Sequence, residues 1–317
     1  MQTKDTAVTA AAQQILNQVR KAVVGKDSVL LWVLAAILAR GHILLEDIPG
    51  VGKTTMALAF SKVLDLEYNR VQFTPDVLPS DVTGFSIPDV KTGAIQYRPG
   101  AIITNLFLAD ELNRATSRTQ SALLEAMEEG QVTVDGVSHP LPQPFVVIAT
   151  QNPTGAAGTQ LLPDSQMDRF MVRLSLGYPS PKDEIAMVLS RQGTDPLKEL
   201  YPLMTRQQLT ELQQCVEETF VSDAVVKYIV DLITATRQNE NILRGASPRA
   251  TLAVTAMSKA VARLRGRDYV VPGDVREVFV HTVAHRLLMS ARAESRSKQA
   301  DQVLREILES VDAPKLR

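Results

Sequence analysis

A single cysteine, Cys215, stands in 317 residues, so an internal disulfide framework is excluded and a reducing compartment is expected. Neither charge is in excess: 34 Lys and Arg face 35 Asp and Glu, for a net charge of −1. Proteins whose main work is gripping nucleic acid carry a basic surplus, so that class is disfavoured. There is no apolar run long enough to cross a bilayer; the longest, Val29 to Ala39, reads as a buried helix. Residues 1–8 show no charged-then-apolar leader, and the expected location is cytoplasmic with no membrane insertion. What is present is ordinary for a globular protein: 45% hydrophobic and 22% charged residues, in a chain long enough for two domains.

The chemistry is concentrated in Glu46-Asp47-Ile48-Pro49-Gly50-Val51-Gly52-Lys53-Thr54-Thr55. A short apolar run, His42 to Leu45, precedes it, and a helix-like run, Met56 to Leu64, follows. Strand, glycine-bearing loop and helix in that order are the context of a phosphate-binding loop. Gly50 and Gly52 let the backbone turn so that several N–H groups face a polyphosphate, and the helix N-terminus adds partial positive charge. Pro49, Gly50, Val51, Gly52, Lys53, Thr54 and Thr55 are thus the predicted nucleotide cradle. Lys53 is expected at the β- and γ-phosphates and the Thr54 hydroxyl on Mg²⁺. The usual pattern has glycine where this chain has Asp47. A plain Gly/Pro turn between buried elements is the competing reading, and the downstream motifs decide against it.

Helical spacing predicts an amphipathic helix over 7–23 and a second helix over 28–40. Val24-Gly25 between them either folds over the nucleotide base or makes a helix–helix turn. A strand is expected at 69–73; two prolines and a glycine then exclude a long helix over 74–84. Two hairpins are predicted, one over 85–103 around Lys91-Thr92-Gly93 and one over 132–141 around Asp135-Gly136. Between them Leu106-Phe107-Leu108-Ala109 has a buried-strand pattern and ends in Asp110-Glu111. Nucleotide hydrolysis needs such a pair, with Asp110 holding Mg²⁺, through water or directly, and Glu111 polarising the attacking water; a solvated acidic pair is the bland alternative. A helix over 116–129 follows. The strand 145–150 ends in Gln151-Asn152-Pro153, where the Asn152 amide can reach the γ-phosphate or the attacking water, or simply make a turn. Arg169, ahead of a last strand over 171–176, is either a structural ion-pair partner or a cation offered to a neighbour's nucleotide.

As an ordered set these motifs resemble the MoxR family of AAA+ ATPases over essentially the whole chain. The match rests on Glu46 to Thr54, Phe73-Thr74-Pro75-Asp76 through Gly84, and Leu108-Ala109-Asp110-Glu111-Leu112-Asn113-Arg114-Ala115. Gln120 to Glu128 and Ala149-Thr150-Gln151-Asn152-Pro153 complete it. The resemblance implies that Lys53 is the Walker A lysine, Asp110 and Glu111 are Walker B, Asn152 is sensor 1 and Arg169 is the arginine finger, with Arg114 as the other candidate. It further implies ATP and Mg²⁺ as cofactors, a homo-oligomeric ring, a hexamer in this resemblance, and a chaperone-like role on partner proteins, among them proteins with von Willebrand factor A domains. A nucleic-acid or chelatase-type motor would use the same core. A GTP switch is disfavoured by the lack of an Asn-Lys-x-Asp motif.

The expected fold class is α/β: an AAA+ P-loop core over 1–178, with a five-stranded parallel sheet and inserted hairpins. An all-helical lid over 183–317 follows the stiff linker Tyr178-Pro179-Ser180-Pro181. Its helices are predicted at 183–191, 206–218, 222–238, 248–264, 273–290 and 296–311. Ser247-Pro248 starts one of them and leaves Arg249 in its first turn, where the helix dipole disfavours a cation, so an anion should compensate. The resemblance makes Arg249 sensor 2, reaching the γ-phosphate from the lid. His281 and His285 have zinc-like spacing without the protease glutamate and read as packing or surface residues. The cluster Arg263 to Arg267 reads as a helix C-terminus stopped at Gly266.

Overall fold

The computed structural model describes residues 2–89, 94–152, 162–190, 195–296 and 298–315. Its first half runs α1 (Gln2–Val19), α2 (Asp27–Leu38), β1 (Ile43–Glu46), α3 (Lys53–Val63) and β2 (Tyr68–Gln72), then a short α4 (Pro79–Thr83). The strands β3 (Gly84–Pro88) and β4 (Ile95–Pro99) follow, then β5 (Leu106–Asp110), α5 (Ser117–Glu129), β6 (Gln131–Val134) and β7 (Val137–Pro140). β8 (Val146–Gln151), α6 (Asp164–Met167) and β9 (Val172–Leu174) close this half.

Five of these strands form one parallel sheet in the order β2-β5-β8-β1-β9. Successive side chains alternate between its faces. Ile43, Leu45, Leu106, Leu108, Val146 and Ile148 join one core with α1, α2, α3 and the C-terminal helices. Leu44, Phe107, Ala109, Val147 and Ala149 join a second core with Leu123, Leu124 and Met127 of α5. Burial on both faces is why these strands read as unbroken apolar runs. The helix α2 is apolar nearly all round because it is wedged between the sheet and the C-terminal helices α8 and α10 named below.

Both hairpins are antiparallel ribbons set apart from the main sheet. The predicted turn Lys91-Thr92-Gly93 lies outside the described residues. In the other hairpin, Asp135 and Gly136 both have left-handed backbone (φ 50° and 78°), as a tight Asp-Gly turn requires. Tyr97 of β4 stacks on His139 of β7 with ring centroids 3.7 Å apart, so the two ribbons are joined side by side.

The second half contains α7 (Pro181–Ser190), α8 (Arg206–Glu217), α9 (Asp223–Gln238), α10 (Pro248–Leu264), α11 (Pro272–Val283), α12 (Ala291–Ser295) and α13 (Ala300–Ser310). Two short strands, β10 (Ile242–Arg244) and β11 (Leu288–Met289), pair antiparallel, so a small ribbon is added to the helical lid. The helix predicted over 273–290 ends at Val283, and the one predicted over 296–311 starts only at Ala300. The cause is long-range. His285 and Arg286 are buried and donate to the Phe170 carbonyl at 3.0 and 2.8 Å, which draws the chain off the helical path before it enters β11. His281 packs against Trp32 at a tilt of 43°, ring centroids 5.1 Å apart. Both histidines are therefore packing residues. The basic cluster is used internally as well: Arg263 donates to Thr219, and Arg265 and Arg267 pair with the fully buried Asp274. Among the described residues no helix is long and apolar enough to cross a membrane.

His42 enters β1 inside the core. Its Nδ1 accepts the Val147 N–H at 3.0 Å, and its Nε2 donates to the Met127 carbonyl at 3.2 Å. Burial pushes its pKa down from 6.5 to about 4. The folded ring stays neutral where the unfolded ring would take a proton, so stability is lost as pH falls from 6.5 towards 4. That loss is about 3 kcal/mol for this residue, and His285, shifted the same way by burial, adds to it. Urea unfolding across this window should show the slope, and His42→Gln should flatten it while lowering stability at neutral pH. A slope identical in the variant would remove His42 from the account.

Candidate functional site

The loop after β1 turns through two left-handed glycines, Gly50 (φ 87°) and Gly52 (φ 97°). No heavy atom lies within 4 Å of where a Cβ would sit on either, so backbone conformation, and not crowding, demands glycine here. The helix α3 begins at Lys53 with no side-chain cap on its first N–H groups. Residues 49–55 line a cleft of about 610 Å³. Its far wall is Ala22, Val23 and Val24, closed by Tyr178, Pro179 and Met187. Gly25 packs so tightly on Asp183 that a Cβ would lie 2.2 Å from its Cγ, which seats α7 against the turn after α1. Val24 is thus part of the cleft, and Gly25 supports it from behind.

Lys53 is buried beside this loop and donates to the Asp47 carbonyl at 2.8 Å. Burial lowers the pKa of its ammonium, and the negative charges of Asp47, Asp110 and Glu111 oppose that shift. β5 delivers Asp110 and Glu111 to the same cleft, and β8 delivers Asn152. Thr150 ties the two strands: its hydroxyl donates to Asp110 Oδ1 at 2.7 Å and accepts the Glu111 N–H at 2.8 Å. Glu111 has left-handed backbone (φ 56°), a strained conformation for a residue with a Cβ, costing on the order of 1 kcal/mol. That bend turns its carboxylate into the cleft. Arg114 donates to it at 2.8 Å and the Asn152 amide at 3.3 Å. The Arg114 bond is the main reason the carboxyl's pKa is lowered, so Glu111 is ionised at neutral pH.

Asp47 is not an imperfect glycine. Its carboxylate is buried and accepts from Ser175 Oγ (2.8 Å), Leu176 N–H (2.5 Å) and Gly177 N–H (2.9 Å). From the other side the buried Lys26 ammonium donates to the carbonyls of Leu176 (2.6 Å), Gly177 (3.1 Å) and Tyr178 (2.9 Å). One acid and one base therefore hold a single stretch of backbone against the loop. Sequence reasoning missed Lys26, and the only signal for Asp47 was its departure from the loop pattern.

Two expected residues lie elsewhere. Arg249, at the start of α10, does not line its own chain's cleft; it pairs with Glu128 at the end of α5. Arg169 donates to the same carboxylate at 2.9 Å. The anion that offsets Arg249 at its helix N-terminus is thus a protein carboxylate, and the expectation that Arg249 reaches the γ-phosphate from its own lid is not met in this conformation. Ser247, the expected cap, instead donates to Asp168 at 2.9 Å. Arg114, the alternative finger, is committed to Glu111 within its own chain.

The geometry fits a magnesium nucleotide: a glycine loop with open space above it, a buried lysine, a hydroxyl and two carboxylates in one cleft. Comparison with known proteins agrees. A family model for the ATPase family associated with various cellular activities (AAA) matches residues 42–172, and an AAA lid domain model matches residues 234–307. The YeaC protein of Bacillus subtilis is 44% identical over 299 residues, covering 94% of this chain and 93% of that protein. The chaperone MoxR1 of Mycobacterium tuberculosis is 36% identical over 313 residues, covering 96% and 82%. A crystal structure of a protein from Cytophaga hutchinsonii superposes with a TM-score of 0.91 at 34% identity, covering 99% of this chain and 98% of that one.

Asp47→Gly would restore the common loop pattern, and it should nonetheless destabilise the protein. It strips a charged acceptor from two backbone N–H groups and a hydroxyl, at a cost on the order of 3 kcal/mol. Denaturant unfolding at neutral pH checks this. A glycine variant as stable as the parent would mean that the grip on residues 175–177 contributes nothing.

Proposed function

We propose, for a chain that belongs to the MoxR family of AAA+ ATPases, that this cleft binds Mg–ATP and that its hydrolysis drives remodelling or maturation of a partner protein. One observation carries the reading. Three separate strand ends bring the 49–55 loop, the Asp110–Glu111 pair and the Asn152 amide to a single cleft.

In this reading Lys53 and the loop N–H groups bind the polyphosphate, and the turn at Val24-Gly25 with Tyr178 and Pro179 flanks the base. Thr54 and Asp110 supply hard oxygen donors for Mg²⁺, which when bound offsets phosphate charge. Ionised Glu111 takes a proton from the attacking water, and Asn152 orients it. Residues 1–178 act as the nucleotide-binding core and 183–317 as the lid. Arg169 and Arg249 share Glu128 outside their own cleft, which supports their service to a neighbouring copy in a ring, a hexamer by family resemblance. The partner protein is open; one bearing a von Willebrand factor A domain is the candidate from the same resemblance. A cytoplasmic location goes with this reading.

Lys53→Ala should lose most nucleotide affinity, read by titration with a fluorescent ADP. Glu111→Gln keeps the binding groups and removes the base, so it should bind like the parent while phosphate release falls roughly 10²-fold. Normal turnover in both variants would sink the assignment.

The ring can be tested with two inactive proteins. Arg169→Ala and Glu111→Gln should each bind ATP and hydrolyse it poorly. Mixed in equal amounts, roughly a quarter of head-to-tail interfaces pair an intact Glu111 with an intact Arg169, so activity should rise above either protein alone. Repeating the mixture with Arg249→Ala asks the same of the lid arginine. Mixed rings seen by cross-linking without recovered activity would return the tested arginine to a structural role.

A further inference from the structure

Arg70 belongs to no motif. It lies on the edge strand β2, where its side chain is 40% exposed and lines the cleft. Its Nη2 donates to Asp110 Oδ2 at 2.7 Å and its Nε to the same oxygen at 3.2 Å. The other oxygen, Oδ1, already accepts the Thr150 hydroxyl. Both sides of the Asp110 carboxylate are therefore engaged, one of them by two N–H groups of a cation.

A divalent ion at Oδ2 would compete for the same lone pairs and repel the guanidinium. If Asp110 is to hold magnesium, Arg70 must swing away. The acceptors near it are few. The amide oxygen of Gln72 is neutral and stands at 3.5 Å, the limit of a hydrogen bond. Glu111 is taken by Arg114 and Asn152. The strong acceptors left to a released guanidinium in this cleft are the Glu184 carboxylate on α7 and the oxygens of a bound polyphosphate, which it matches in planar, two-pronged geometry. Of the other cations, Lys26 is spent on three carbonyls and Arg169 and Arg249 sit on Glu128, while Lys53 brings a point charge to the phosphates without a guanidinium's fork. Among the described residues lining the cleft, Arg70 is the only arginine.

We propose that Arg70 is the own-chain reader of the terminal phosphate: it gives up Asp110 to magnesium and closes on the γ-phosphate, so that metal entry and recognition of a triphosphate are one exchange. This rests on the Mg–nucleotide reading of the cleft. It also assigns within the chain the contact expected of Arg249.

The test uses the full chain, a fluorescent ADP and a fluorescent non-hydrolysable ATP analogue, each titrated at several magnesium concentrations. Arg70→Ala should bind the triphosphate analogue about tenfold more weakly or worse and the diphosphate within about twofold of the parent. It should also need less magnesium for half-maximal diphosphate binding, because the competitor for Asp110 is gone. Arg70→Lys, which keeps the charge without the fork, should recover part of the triphosphate preference and covers the case in which the alanine variant melts early. Lys53→Ala serves as the reference. If Lys53→Ala binds both nucleotides like the parent, the nucleotide reading of the cleft fails. If Lys53→Ala loses both and the Arg70 variants weaken both nucleotides equally, or neither, the nucleotide reading stands and the role of Arg70 is overturned.

Discussion

The grip of Asp47 and Lys26 on residues 175–178 ties the phosphate loop to the segment that leads into α7. The peptide groups of Leu176 at its centre are buried and need partners, since each buried unpaired N–H or C=O costs about 1–3 kcal/mol. Asp47 takes its N–H groups and Lys26 takes its carbonyls. Neither residue could do the other's work, because a carboxylate only accepts and an ammonium only donates. Asp47 opens the phosphate loop, Lys26 follows the Val24-Gly25 turn, and Tyr178 begins the linker to α7. The three walls of the cleft are thus joined through one stretch of backbone. A shift of the loop is passed to α7 by bonds, without a separate relay.

Charge in the cleft is balanced before any nucleotide is considered. Lys26, Lys53 and Arg70 among its lining residues face Asp110, Glu111 and Glu184, three against three. A polyphosphate brought to a neutral cleft has no net attraction from the wall, so the binding energy must come from groups that are redistributed or added. Backbone dipoles at the loop and α3 are one source. Release of Arg70 from Asp110 is a second. The ring and metal proposed above would add a divalent ion and a neighbour's arginines, and a near-neutral cleft fits such completion from outside the chain.

Much of this was legible in the sequence because it is local. Strand runs such as Leu106 to Ala109 announce burial on two faces, Asp135-Gly136 announces its turn, and the loop glycines announce left-handed backbone. The unread features all depend on partners far along the chain. Asp47 looked like a defect because the atoms it holds are 128–130 residues away. The helix after residue 273 is shorter than its periodicity suggests, because periodicity does not record that His285 and Arg286 turn back to Phe170. For Arg249 the helix dipole calls for a nearby anion and Glu128 supplies it, but nothing local marks that anion as a side chain. Arg70 carries no pattern at all, since a half-exposed arginine on an edge strand is commonplace until its carboxylate is known.

The arginine pair on Glu128 is set in a rigid frame, and this bears on how lid and core work together. Asp164 pairs with Arg244 of the lid ribbon. Asp168 accepts from Ser247 at the head of α10 and from the buried Arg286. The Phe170 carbonyl accepts from both His285 and Arg286. Arg169 lies between these anchor points, so the segment that carries it is tied to the lid on either side. Ion pairs with a desolvated member such as Arg286 do not rearrange one at a time, because each broken bond would strand a buried charge. The Arg286 contacts with Asp168 and Phe170 therefore resist separation of residues 168–170 from the lid. Should a neighbour's phosphate draw Arg169 and Arg249 from Glu128, the pull falls on one body that includes α10 and α11, and so on the core that α10 shares with α2 and the sheet. In the proposed ring, an event at one copy's cleft would thereby reach the fold of the next through Arg169 and Arg249.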